Sequence, residues 1–145
     1  MAKKDLHSLI RLRKWDVDEK RRALGTLLRH EEAVIARQNA HEAEIRAELE
    51  FANNAPVELR GTLSAYLARA DEMRGRLAEA LKEVQARVAH AQNELAEAYR
   101  RSKTLEVTQA NRDKADELEE NRLEEIELNE VGLNLFRRRA LVEPG

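Results

Sequence analysis

Cysteine is absent from this 145-residue chain, proline occurs twice, glycine five times, and aromatic residues make up only 3%. Without cysteine there is no disulfide and no thiolate metal ligand, and nothing marks an oxidising compartment. No apolar run approaches the roughly 20 residues that a membrane span needs, so membrane insertion is not expected. The start, MAKKDLHSLIRLRKW, is basic but lacks the apolar stretch of a secretion signal. A cytoplasmic location follows as the expectation. No glycine-rich phosphate loop is present, so nucleotide hydrolysis by this chain is not expected. Serine occurs only at Ser8, Ser64 and Ser102, without a histidine and acid placed to activate it. None of His7, His30, His41 and His90 follows a glutamate by three residues, the spacing of bundle metal sites. The expectation is therefore no enzyme, no metal and no cofactor.

What the chain has in quantity is charge. Asp, Glu, Lys and Arg make up 37% of it, yet the net charge is only −2. Such a composition cannot build a thick core, and it matches long helices that each bury one narrow stripe. The charge is uneven: residues 1–30 hold nine Lys or Arg against four Asp or Glu, while residues 113–130 hold nine acids against two bases. The basic start is interleaved with Asp5, Asp16, Asp18 and Glu19 and carries little for bases to stack on. Docking on protein is thus expected rather than on nucleic acid.

Proline inside a helix removes a hydrogen bond and clashes with the preceding turn, so Pro56 and Pro144 punctuate the chain. Asn53-Asn54-Ala55-Pro56, with Gly61 close behind, is its one cluster of turn formers. The expected elements are a helix at about 4–52, a tip at 53–61 and a helix at about 62–140. In the first helix one ladder of sevens runs Ile10, Val17, Leu24, Glu31, Gln38, Ile45, Ala52, with a companion Lys14, Arg21, Leu28, Ile35, Glu42, Leu49. In the second, apolar residues fill eleven of thirteen positions from Leu63 to Leu105 at steps of three and four. This is the repeat of a left-handed supercoil.

If the chain reverses near residue 57, residue i faces roughly residue 114 − i. The second seam falters at Gln109, Arg112, Asp116 and Glu119, where the first helix runs out. The expected fold is all-α, a single-domain antiparallel coiled-coil hairpin whose second helix is the longer. About 70 Å would be paired, and residues 111–140 would overhang by about 45 Å. That segment carries Leu118, Leu123, Ile126, Leu128, Val131, Leu133, Leu135 and Phe136 on more than one face, as binding surfaces do. Trp15 lies off the seam on a face with Arg22 and Arg29, and Trp and Arg are common interface anchors.

Two local motifs resemble one family. Leu9-Ile10-Arg11-Leu12-Arg13-Lys14-Trp15-Asp16-Val17-Asp18-Glu19-Lys20-Arg21-Arg22-Ala23-Leu24-Gly25 resembles the start of FliJ proteins, and Leu118-Glu119-Glu120-Asn121-Arg122-Leu123 resembles a segment near their C-terminus. The resemblance implies a component of the flagellar type III export apparatus, peripheral to the inner membrane. Such proteins are stalks like the ATP synthase gamma subunit, inserted in the hexameric ATPase FliI and linked to the gate protein FlhA and to export chaperones. Injectisome stalk proteins look similar. By the motifs, Arg11, Trp15, Asp18, Arg22, Asn121 and Arg122 would face the ATPase ring. By register, Tyr66, Ala70, Met73 and Leu77 would face the gate. Without the resemblance, the residues support an alternative: a structural coiled coil that self-associates through its C-terminal tail.

Overall fold

A computed structural model describes residues 6–142 of the chain. Helix α1 spans His7–Asn54, a short 3-10 turn spans Val57–Leu59, and helix α2 spans Gly61–Val142. The two helices, of 48 and 82 residues, pack against each other as an antiparallel all-α hairpin with the second helix longer. The expected start of α1 at residue 4, and Pro144, lie outside the described residues.

The reversal is built on Pro56. Its backbone is extended, with φ −54° and ψ 146°, and the residue before a proline is pushed away from helical geometry. Asn53 and Asn54 remain helical, so the break is shorter than the turn-former cluster suggests. Ala55 N–H closes α1 on the Ala52 carbonyl at 3.3 Å, and Leu59 N–H bonds the Pro56 carbonyl at 3.0 Å. The Thr62 hydroxyl then donates to the Leu59 carbonyl at 2.8 Å and ties down the entry to α2. No described glycine takes a positive φ. The chain thus turns on proline stiffness rather than on glycine freedom.

Packing divides the chain into two compact units, Arg13–Arg100 in one and Met1–Leu12 with Arg101–Gly145 in the other. In the Arg13–Arg100 unit the buried side chains are Val17, Val34 and Ile45 from α1, with Ala70, Val84, Val88, Ala91 and Ala98 from α2. Every position of the α2 ladder from Leu63 to Leu105 is buried or half-buried except Arg74. Among the described residues no large side chain is completely buried, the mark of a two-helix seam rather than a globular core.

The α1 ladder Ile10, Val17, Leu24, Glu31, Gln38, Ile45, Ala52 is buried or half-buried throughout. Its expected companion is not, since Lys14, Arg21, Leu28, Ile35 and Leu49 are exposed and only Glu42 is half-buried. The seam takes the opposite flank, one residue earlier: Arg13, Lys20, Leu27, Val34 and His41. Both flanks carry aliphatic residues, so periodicity alone does not choose between them. The polar members of the chosen flank lay their stems in the seam and find partners at its edge. Lys20 Nζ reaches Glu94 Oε2 at 3.4 Å, and His41 Nε2 donates to the Ala70 carbonyl at 2.9 Å.

These contacts also fix the register. The residue numbers of the pairs Lys20–Glu94, Glu42–Arg74 and His41–Ala70 sum to 114, 116 and 111, around the value of 114 set by a reversal near residue 57. In the other unit the Leu6 N–H donates to Gln109 Oε1 at 3.2 Å, a sum of 115.

Candidate binding surfaces

In the Arg13–Arg100 unit, α1 turns a polar face outward. Arg22 donates to Glu19, one turn before it. The Thr26 hydroxyl donates to the Arg22 carbonyl at 3.1 Å, and Arg29 Nη2 donates back to Thr26 Oγ1 at 3.2 Å. Asp18 pairs loosely with Arg21 at 3.8 Å. Trp15 is 58% exposed. The structure therefore displays Trp15, Asp18 and Arg22, with Arg22 pre-aimed by its glutamate. One-turn pairs of this kind contribute a few tenths of a kcal/mol, so they hold a side chain without committing it.

The four gate candidates lie on α2 of the same unit, in unequal settings. Ala70 is 5% exposed and its carbonyl accepts from His41, while Leu77 is half-buried in the seam. Tyr66 is half-buried and Met73 is 42% exposed. A partner approaching the closed hairpin meets Met73 and the edge of Tyr66. Beside them Arg74 makes a bidentate bond to Glu42 across the helices, with Nη2 to Oε2 at 3.0 Å, and a second bond to Asp71 at 3.0 Å. The Arg74 guanidinium, through its hydrogen bond, holds the Glu42 carboxyl below the usual carboxylate range, and Glu42 in turn raises Arg74.

In the other unit Arg11 is exposed and donates weakly to Ser8 Oγ at 3.5 Å. Arg122 donates to Glu119 through Nη2 at 2.8 Å and Nε at 3.2 Å, and this bond raises its pKa. Asn121 is exposed. The structure does not gather Arg11 with Asn121 and Arg122. Leu6 sits against Gln109, and Arg122 lies 13 positions further along α2, roughly 20 Å at 1.5 Å per residue. From Glu117 to Val142 every residue of α2 is exposed. That stretch includes Leu118, Leu123, Ile126, Leu128, Val131, Leu133, Leu135 and Phe136, along with Leu141 and Val142.

Chemistry needs a cleft that desolvates groups and tunes them toward ambient pH. Here the shifts of Glu42, Arg74 and Arg122 all favour the charged form through hydrogen bonds. The hollow at Gly132, bordered by Leu135, Phe136 and Arg139, lies on one helix and encloses nothing. Among the described residues no cluster of three or more His, Cys, Asp or Glu could hold a metal ion, and no helix is long and apolar enough to cross a membrane. The arrangement suits binding along helix faces.

Some surface features are not evident from motifs. Phe51, Val57 and Leu59 stand exposed around the reversal. The cross-helix pairs Lys20–Glu94 and Glu42–Arg74 were within reach of the sequence, since the reversal rule sets each base nearly opposite its acid. His90 also joins the first of them, 3.1 Å from Glu94.

The family profile described as "Flagellar FliJ protein" matches residues 2–141, almost the whole chain. The chain belongs to the FliJ family. Comparison with curated proteins and with solved structures returned no match. As a FliJ-family protein the chain is a component of the flagellar protein export apparatus, and the family is a structural one, not known for enzymatic activity. Both of the motifs that carry the resemblance, 9–25 and 118–123, fall inside the matched residues.

Proposed function

We propose that this protein is the stalk of the flagellar export ATPase: it inserts in the hexameric FliI ring, promotes ring assembly, and links the ring to the gate protein FlhA at the inner membrane. The observation that supports this reading is the exposed apolar length of α2 from Leu118 to Val142. An apolar helix surface of that extent in water is a binding surface in waiting, and a ring with a central hole is a partner that can cover a helix on several sides. Arg122, held by Glu119, and Arg11 supply charge in the same unit. The gate contact then falls to Met73 and Tyr66, the two candidates that the seam leaves open. The ring contact also takes in Trp15, Asp18 and Arg22 on the exposed face of α1, and export chaperones are a further partner in the same reading.

Ring assembly and turnover test the reading directly. Adding the chain to its cognate ATPase is expected to raise both hexamer formation and ATP turnover. Ile126→Glu with Leu133→Glu is expected to abolish the effect while leaving helix content intact. An ATPase indifferent to the wild-type chain would overturn the proposal.

A further inference from the structure

The exposed end of α2 has two apolar faces, and only one continues the hairpin seam. Ile126 and Leu133 lie three and four heptads after Leu105, on the seam side. Leu128 and Leu135 each come two residues later, about 200° around the helix. With Val131, Arg138 and Val142 they form a second ladder at steps of three, four, three and four, the spacing of a coiled-coil seam. Nothing in the hairpin faces it: Leu128 is 70% exposed and Val142 78%. Gly132 stands beside this ladder, and a Cβ built there would meet nothing within 4 Å. Its missing side chain makes the hollow bordered by Leu135, Phe136 and Arg139.

Charge along the ladder names the occupant. Glu124, Glu125 and Glu127 precede Gly132, and Arg137, Arg138 and Arg139 follow it, all of them exposed. The segment is therefore acidic on one side of its midpoint and basic on the other. A second copy laid parallel would set acid on acid and base on base. Laid antiparallel about Gly132, it sets the acids of each copy against the arginines of the other. With the axis one position past Gly132, the register puts Val131 opposite Leu135 twice, lays the Arg138 stem along Leu128, and brings Glu125 near Arg139 on both sides of the axis. Glycine beside the axis lets the backbones approach. This is a self-complementary two-fold interface, the commonest in oligomers.

We propose that two copies of this chain pair antiparallel through the Leu128–Val131–Leu135 face of α2, centred next to Gly132. The face is part of the apolar length offered to the ATPase ring, but the pairing does not depend on that assignment. It gives the free protein a way to cover part of its apolar end.

The full chain, which has no cysteine of its own, suits a crosslinking test. In the variant E125C/R139C, oxidation is expected to join two copies, while neither single cysteine does so efficiently. Sedimentation is expected to show a concentration-dependent dimer. E125R alone and R139E alone should each weaken it by roughly tenfold or more, and E125R/R139E should restore it. V131E/L135E should leave a monomer of unchanged helix content. A strict monomer at about 100 µM, well above the micromolar affinities of ordinary weak pairs, would overturn the proposal. So would E125C alone crosslinking as well as the double variant, or a failed charge-swap rescue.

Discussion

Residues 13–100 and residues 113–142 use the same alphabet and the same helical repeat to opposite ends. In the first, nearly all the α2 ladder lies buried or half-buried against the other helix, and small or β-branched side chains such as Val84, Val88 and Ala98 disappear into the seam. In the second, leucines and a phenylalanine larger than those seam residues remain exposed. Size and hydrophobicity therefore do not decide burial here; the presence of a neighbouring helix does. A helix in this family can be read twice, once for what holds it together and once for what it offers to others.

Three measurements sharpen or break that comparison. The largest effect is expected at Ile45, buried to 4% exposure in the seam. Ile45→Ala should cost about 2–4 kcal/mol in denaturant unfolding, as truncations of buried aliphatic side chains do. A change under half of that would mean the seam is not the source of stability.

A smaller effect is expected from the cross-helix pair. Glu42 has its folded pKa lowered, chiefly by the hydrogen bond from Arg74. A lowered carboxylate stabilises the fold above its ordinary range and loses that contribution as pH falls through its folded value. The advantage of wild type over Glu42→Gln in thermal midpoint should therefore be present at neutral pH and shrink on acidification. An advantage that grew on acidification would contradict the assignment. Both groups lie at the surface, so the effect is modest and weakened by salt.

The smallest effect is expected in the exposed end. Leu123→Ala should change stability by no more than about 0.5 kcal/mol, the usual range for surface positions, while weakening stimulation of the ATPase. A seam-sized loss of stability there would erase the contrast between the two regions.

Much of this was legible in the residues. Pro56 placed the reversal, though the two asparagines before it stayed in α1; the ladder from Leu63 to Leu105 marked the buried face of α2, and its faltering after Leu105 fell close to where burial ends. The flank of α1 was not legible. Leu27 and Val34 compete with Leu28, Ile35 and Leu49, and the choice turns on whether Lys20 and His41 find partners across the seam, a property of two helices together. Among the binding candidates, exposure of Trp15 followed from its place off the ladder. The burial of Ala70 and Leu77 was written in the same repeat that nominated them for the gate. The wide spacing of Arg11 from Arg122 follows from the pairing rule, and local motifs do not carry it.

The antiparallel register has a consequence for how the fold assembles. In the Arg13–Arg100 unit the cross-helix bonds join residues 29, 32 and 74 positions apart. Loop closure costs more entropy as the loop lengthens, though only logarithmically. His41 with Ala70 and Glu42 with Arg74 thus have the shortest loops to close, around the turn at Pro56. Once they form, each further heptad encloses only a few more residues, and the hairpin can zip away from its turn with Lys20 and Glu94 among the last to meet.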